Sequence, residues 1–430
     1  MMYRSIVTVL VSTVLSLSIS TAYAADEASL EGEKFDPQKS LPLAELRRFS
    51  EVFDRIKQAY VEPVSDAELL EDAVRGMLIG LDPHSSYLSA DEYSELQIQT
   101  SGQFGGVGIE ISQEDGMIRV ITPIDDTPAE HAGIKPGDLI IKIDGKIIQS
   151  IGLDQAIAMM RGKPGTEIVL SIIRDDSDKP IEISLKRDII RVTSVRSRYV
   201  DEGIGYLRIS QFQHHTARDL DKALEQMQQK GPLTGLVLDL RNNPGGVLRG
   251  AVDVSDAFIS EGIIVSTKGR LASSQMSFAA TAEMSIADIP MVVLINGGSA
   301  SASEIVAGAL QDKNRAIIMG TTSFGKGSVQ TVLQLGEKRA MKLTTARYYT
   351  PSGRSIQAKG IEPDILVEQQ QVKARKSSRT IKEQDLNGHL QNSQQKPTKT
   401  QKTDLIQTDF QLYEAVNLLK GLVIVRQSVN

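Results

Sequence analysis

A chain of 430 residues, 40% apolar and 24% charged, is long enough for two or three domains with ordinary cores. Its net charge of −6 gives no general attraction to phosphate backbones and sets nucleic acid aside as a partner. The absence of cysteine excludes disulfides, thiolate metal sites and a cysteine nucleophile.

At the start, Arg4, the apolar run from Ile6 to Ile19 and the small-x-small sequence Ala22-Tyr23-Ala24 read as a signal peptide over 1–24. The run is short for a membrane span and is broken by Ser12, Thr13, Ser16 and Ser18. The mature chain is therefore expected to be soluble in a bacterial periplasm. From Leu46, the apolar residues Phe49, Phe53, Ile56 and Tyr60 recur at helical spacing, and Ser65 with Glu68 forms a capping box opening a second helix. The helical unit 41–95 has little interior of its own, so its apolar faces pack on the body or on another copy of the chain, which makes it a candidate for dimerisation.

Between about 98 and 187 short β-branched strands at 105–111, 117–124, 138–145 and 167–175 alternate with Gly and Pro turns, with one helix near 153–161. From 203 to 367 strands alternate with helices around 216–229, 247–258 and from about 302, the pattern of an α/β domain. The whole is an α+β multidomain chain. After Val367 the Gln, Lys, Ser and Thr-rich stretch 368–404, with Lys373, Arg375, Lys376 and Arg379, reads as a disordered linker. In 405–430 Asp409 caps a helix with Leu412, Val416 and Leu419 on one side, a second candidate for oligomerisation.

Three segments point to chemistry. The strand at 291–296 runs through Gly297 and Gly298 into the serine turn 299–303 and then a helix. A serine there lies beside free backbone N–H groups at the positive end of a helix, as acyl transfer needs, although such serines also serve as plain helix caps. The usual base is histidine, and sequence excludes none of His84, His131, His214, His215 and His389, although His84 and His131 are explained more simply as turn or surface residues, His214 and His215 lie on an apparent surface stretch and His389 lies in the linker. Lys326, between Gly325 and Gly327, is the other candidate base, provided that burial lowers its proton affinity. The buried-looking strand at 235–241 ends in Asn242-Asn243-Pro244-Gly245-Gly246, where glycines permit close backbone approach to a ligand. The residues alone leave Ser299, Ser301 and Ser303 open.

Taken together, NGGSASASEIVAGALQD at 296–312, SFGKGSVQ at 323–330, LDLRNNPGG at 238–246 and ARYYTPSGRSIQAKGIEPDI at 346–365 closely resemble the carboxy-terminal processing peptidases, or tail-specific proteases, from about 41 to 367. The resemblance implies Ser301 as nucleophile, Lys326 as general base and Gln330 as the residue that orients the lysine. It also implies the backbone N–H groups of Gly246 and Ala302 as the oxyanion hole. It implies a crotonase- and ClpP-like protease core over 188–367 and a PDZ domain over 98–187, whose loop Phe104, Gly105, Gly106, Val107, Gly108 and Ile109 binds a chain-terminal carboxylate. Consecutive glycine N–H groups beside a strand edge suit that role. Arg161, near the hinge, is a candidate link between PDZ position and the active site.

No metal or cofactor is implied. The expected partners are proteins and peptides with flexible C-terminal tails, further copies of the chain and, left open, a lipoprotein adaptor. Two other classes of function fit the sequence less well. A catalytically inert periplasmic PDZ scaffold or holdase is opposed by the intact Ser301, Lys326 and Gln330. An acyl-CoA-processing enzyme of the crotonase-like kind is opposed by the signal sequence and by FGGVGIEI at 104–111.

Overall fold

A computed structural model describes residues 42–114, 117–174, 179–281, 284–286, 289–336, 338–370 and 403–429. The signal sequence expected at 1–24 and nearly all of the linker expected at 368–404 lie outside the described residues. Among the described residues no helix is long and apolar enough to cross a membrane. The chain divides into two units, 1–74 and 75–430.

In the first unit the helix Leu43–Ala59 buries none of its residues. Its apolar stripe forms at the predicted spacing, with Phe49 and Phe53 rings 6.5 Å apart, and Leu46, Phe49 and Ile56 stand exposed. Lys57 lies over the Phe53 ring and pairs with Asp66 at 2.6 Å.

The second unit is built around a six-stranded sheet in the order Val195–Asp201, Ile204–Ile209, Gly235–Asp239, Met291–Ile295, Ile317–Gly320 and Ile365–Leu366. All neighbours are parallel except the first pair. A mostly parallel sheet needs cover on both faces, and the strands alternate accordingly. Leu236, Leu238, Met291, Val293 and Ile295 face a core shared with residues of the helices Thr216–Lys230, Leu248–Asp256 and Ala302–Asp312. Val237, Val292 and Leu294 face the other way, against Leu412, Ala415, Val416 and Leu419 of the helix Phe410–Val429. A second sheet joins Ser86–Leu88, Arg339–Tyr349, Ile263–Gly269 and Met276–Ala279, with Ser328–Leu335 as a hairpin partner of Arg339–Tyr349.

The β-rich segment forms its own sheet, Ile109–Glu114, Met117–Pro123, Leu139–Ile143, Glu167–Ile173 and Ile181–Lys186, around a separate core of Ile118, Ile140, Leu170 and Ile172. It leaves and re-enters the chain through the pair Gln103–Gly106 and Asp188–Arg191. One element departs from the sequence expectation. A helix, Ala90–Ser101, runs across the expected boundary between a helical unit ending at 95 and a β-rich segment starting at 98. Ser89 and Glu92 cap each other's backbone at its start and Gly102, with φ 67°, ends it. The S-x-x-E signature was legible, but the polar run that follows carries little apolar periodicity.

Candidate functional site

The buried strand Met291–Ile295 delivers the serine turn to the edge of the core. Its three hydroxyls have different surroundings. Ser299 is fully buried and its Oγ donates to the Leu240 carbonyl at 2.8 Å. Ser303 is also fully buried and donates to the Asn243 carbonyl at 2.9 Å. Ser301 alone of the three lines a cavity of about 480 Å³. Its backbone sits at φ 58° and ψ −112°, a sparsely populated positive-φ conformation that costs a residue with a Cβ on the order of 1–3 kcal/mol. The turn tolerates it because the Ser301 N–H donates to Glu304 Oε2 at 2.7 Å and the Ala300 N–H to the Asn243 carbonyl at 3.0 Å.

Glu304, which the sequence analysis did not single out, holds this region together. Its carboxylate has no exposed surface. One oxygen accepts from Ser323 Oγ and the Gly325 N–H, both at 2.6 Å, and the other from the N–H groups of Ser301 and Lys326. One buried carboxylate therefore clamps the serine turn to the lysine loop. The signal was present as another S-x-x-E, here Ser301 to Glu304, hidden inside a motif already assigned to chemistry.

Lys326 lines the same cavity, half-buried. Burial and the nearby charge of Lys342 hold its ammonium below the ordinary lysine range, against weaker opposite pulls from Glu304 and Asp82. Its flanking glycines are required by backbone contact: a Cβ on Gly327 would meet the Gln357 nitrogen at 2.4 Å, and Gly325, at φ 92°, abuts the backbone of Ala358 to Gly360. Gly245 packs on Ala300, Ser301 and Ala302, and a Cβ on Gly246, at φ 140°, would strike the Phe212 carbonyl at 2.1 Å. The N–H groups of Gly246 and Ala302 find no acceptor among the described residues, and both residues line the cavity with Ser301. Two free donors beside one hydroxyl suit a developing oxyanion.

Two placements differ from a ready dyad. The Ser301 hydroxyl is hydrogen-bonded to Tyr348, 2.8 Å away, and among the described residues it makes no bond to Lys326. Burial pushes the Tyr348 phenol up to about 12, so at neutral pH it remains a neutral hydroxyl. Gln330 also lines the cavity, but its amide nitrogen donates to Ser328 Oγ at 2.9 Å and Thr344 Oγ1 at 3.3 Å, with no bond to Lys326. Thr344 donates in turn to Asp82, which also accepts from Ser85 and from the His84 and Ser85 N–H groups. Tyr348, Thr344 and Asp82 carried no sequence signal for this role, because each acts across a long chain separation.

In the smaller sheet's loop, Gly105 and Gly106 pair with Ile189 and Asp188, and the Phe104 ring lies over Gly106. Gly108, at φ 82°, packs so closely on Thr127 that a Cβ would lie 2.3 Å from it. The Val107 and Gly108 N–H groups have no acceptor among the described residues, and Ile109 starts the adjoining strand. Arg161 stacks on Phe104 and pairs with Glu95 at 2.5 Å, next to Leu96, which lines the Ser301 cavity. His131, at the end of a short helix Pro128–His131, is exposed, and His84 lies near Lys326 without contacting Ser301.

Comparison with known proteins places the chain in a family. Residues 203–367 match the model of peptidase family S41, 105–185 that of the PDZ domain, and 10–92 the N-terminal domain of the activating protease CtpB. A carboxy-terminal-processing protease of Bartonella bacilliformis is 49% identical over 385 residues, 88% of each chain. The carboxy-terminal processing protease CtpA of Bacillus subtilis is 35% identical, over 84% of this chain and 76% of that protein. The photosystem II D1 C-terminal processing protease is a solved relative at 29% identity with a TM-score of 0.45, covering 76% of this chain and 87% of that one. The chain is a serine-type peptidase of family S41, a carboxy-terminal processing protease carrying a PDZ domain.

Proposed function

We propose that this is an exported endopeptidase that captures flexible C-terminal tails on its PDZ domain and cuts them with a Ser301–Lys326 dyad. The observation that carries this reading is the meeting, on one cavity, of the Ser301 hydroxyl, a partly desolvated lysine and the two free N–H groups of Gly246 and Ala302. Release of the Ser301 hydroxyl from Tyr348 opens the sequence. Neutral Lys326 then takes the serine proton as Oγ attacks the scissile carbonyl, and the oxyanion is held by Gly246 and Ala302. On collapse the protonated lysine returns the proton to the leaving amine. A water, deprotonated by the same lysine, then hydrolyses the acyl ester. Gln330 supports this arrangement once its amide turns from Thr344 toward the lysine.

Capture is assigned to the unpaired N–H groups of Val107 and Gly108 with the strand from Ile109, which suit a terminal carboxylate and an added peptide strand. Export to the periplasm rests on the sequence at 1–24. Self-association is assigned to the exposed stripe Leu46, Phe49 and Ile56. Envelope proteins with unstructured tails are the substrate class, with or without a lipoprotein adaptor.

The test is degradation of casein by the mature chain beside Ser301→Ala and Lys326→Ala, each with and without periplasmic extract. Both variants are expected to lose hydrolysis by at least about a thousandfold. Near-wild-type cleavage by either refutes the dyad. Absence of any Ser301-dependent cleavage, even with extract, favours an inert PDZ scaffold.

A further inference from the structure

Lys342 enters the reading above only as a like charge that lowers the proton affinity of Lys326. It lies in the strand Arg339–Tyr349, opposite Ser86 on one side and Val332 on the other, half-buried, and lines the same cavity as Ser301 and Lys326. Among the described residues it has neither an ion pair nor a side-chain hydrogen bond. The titratable groups whose titration it affects are Lys326 and His84, and burial with the nearby lysines disfavours the charged form of both. The acidic groups nearby are already engaged: Glu304 accepts from four donors, and Asp82 from Ser85, Thr344 and two backbone N–H groups. Both carboxylates keep their charge, but neither pairs directly with Lys342, which lines the cavity without a bonded counterion. An ammonium that bonds no protein carboxylate is available to an arriving one without breaking an existing ion pair, and a charge-assisted hydrogen bond would hold it.

We propose that Lys342 is the cation of a substrate subsite that takes a carboxylate, either an Asp or Glu side chain or the end of the chain. This rests on the cavity being where substrate lies. Lys342 and Tyr348 are six residues apart on one strand, at most roughly 20 Å at about 3.3 Å per residue, so the carboxylate lies no more than about six extended residues from the scissile bond. The subsite thus selects for acidic tails independently of the PDZ loop.

The experiment uses a neutral fluorogenic peptide, a set in which single Glu residues are scanned along it with Gln at the same positions as controls, and each peptide as free acid and as amide. Hydrolysis is compared for the wild type, Lys342→Met, Lys342→Gln and Lys342→Arg. At one Glu position, or for the free acid, the wild type is expected to show kcat/KM about tenfold above the matched neutral peptide. That ratio falls to near one in Lys342→Met and Lys342→Gln, survives in Lys342→Arg and shrinks in high salt. The ratio cancels any shared effect on Lys326. Binding of the same pairs to Ser301→Ala, with and without Lys342→Met, is read by fluorescence anisotropy and needs no turnover. A carboxylate preference in binding that depends on Lys342, with no hydrolysis by any form, keeps the subsite and rejects the dyad. Hydrolysis with an acid-to-neutral ratio indifferent to Lys342 keeps the dyad and rejects the subsite.

Discussion

At the scale of single residues, the site depends on groups that mediate rather than react. Glu304 meets four donors while fully buried, so Glu304→Gln turns half of its acceptor capacity into a donor. Each buried donor left unpaired costs on the order of 1–3 kcal/mol. Calorimetry of Glu304→Gln is expected to show a Tm lower by several degrees, with hydrolysis largely lost because the serine turn and lysine loop separate. Tyr348→Phe should act oppositely. It frees the Ser301 hydroxyl at the cost of a bond worth about 0.5–1.5 kcal/mol, so basal hydrolysis is expected to rise about two- to tenfold. A fall of that size would instead place the phenol in the chemistry. The pH profile follows from Lys326. With Lys326 as the proposed base, only its neutral amine accepts a proton, so kcat/KM is expected to rise with pH through a value held below the ordinary lysine range by burial and by Lys342. Removing the like charge in Lys342→Met leaves Lys326 protonated to higher pH, so the rising limb should move to the alkaline side.

Among the elements, the C-terminal helix Phe410–Val429 is the clearest case of packing that spacing alone leaves undirected. Leu412, Val416 and Leu419 do form one apolar side, and they close the open face of the central sheet within the same chain. A hub of side chains anchors the helix: Arg241 reaches Asp239 and Asp409, Asp409 caps Leu412, and Gln411 donates to the Val367 carbonyl. Three buried aliphatic side chains at about 1.5–3 kcal/mol each predict that truncation at 402 costs on the order of 5 kcal/mol and exposes a dye-binding apolar face. Burial pushes the Asp409 carboxyl up, but Arg241 outweighs it and holds the carboxyl below the usual range. Its contribution to stability is therefore complete above the ordinary aspartate value and is lost as pH falls through the lowered one. Asp409→Asn should remove that part of the acid dependence, as followed by circular dichroism.

For the molecule as a whole, the PDZ domain is joined to the protease by Gly102 and the strand pair Gln103–Gly106 with Asp188–Arg191, and by the contact of Arg161 with Phe104 and Glu95. Gly102 holds φ 67° against the Gln213 side chain. Replacing 107–187 by a short turn, which keeps the helix Ala90–Ser101 and the strand pair, is expected to abolish capture of tail peptides while leaving slow hydrolysis of casein, because Ser301, Lys326, Gly246 and Ala302 all lie outside it. Loss of neither property would detach the domain from substrate handling. Much of this organisation is local in origin and was readable from the chain. Period-two apolar strands, capping residues and glycines at positive φ are set by short-range sterics and solvation, and the long motifs around Ser301 and Lys326 carried the family. The choice of Ser301 from residue properties alone was not readable, because Ser299 and Ser303 differ from it only in what the fold places around them. The same holds for Tyr348 on Ser301, 47 residues away, and for Asp82 on Thr344, 262 residues away. Sequence by itself determined the elements and the reactive residue types. Tertiary structure decided which hydroxyl meets the cavity, what occupies it at rest and how far the lysine is desolvated, since burial and charge act through space between residues that chain periodicity does not connect.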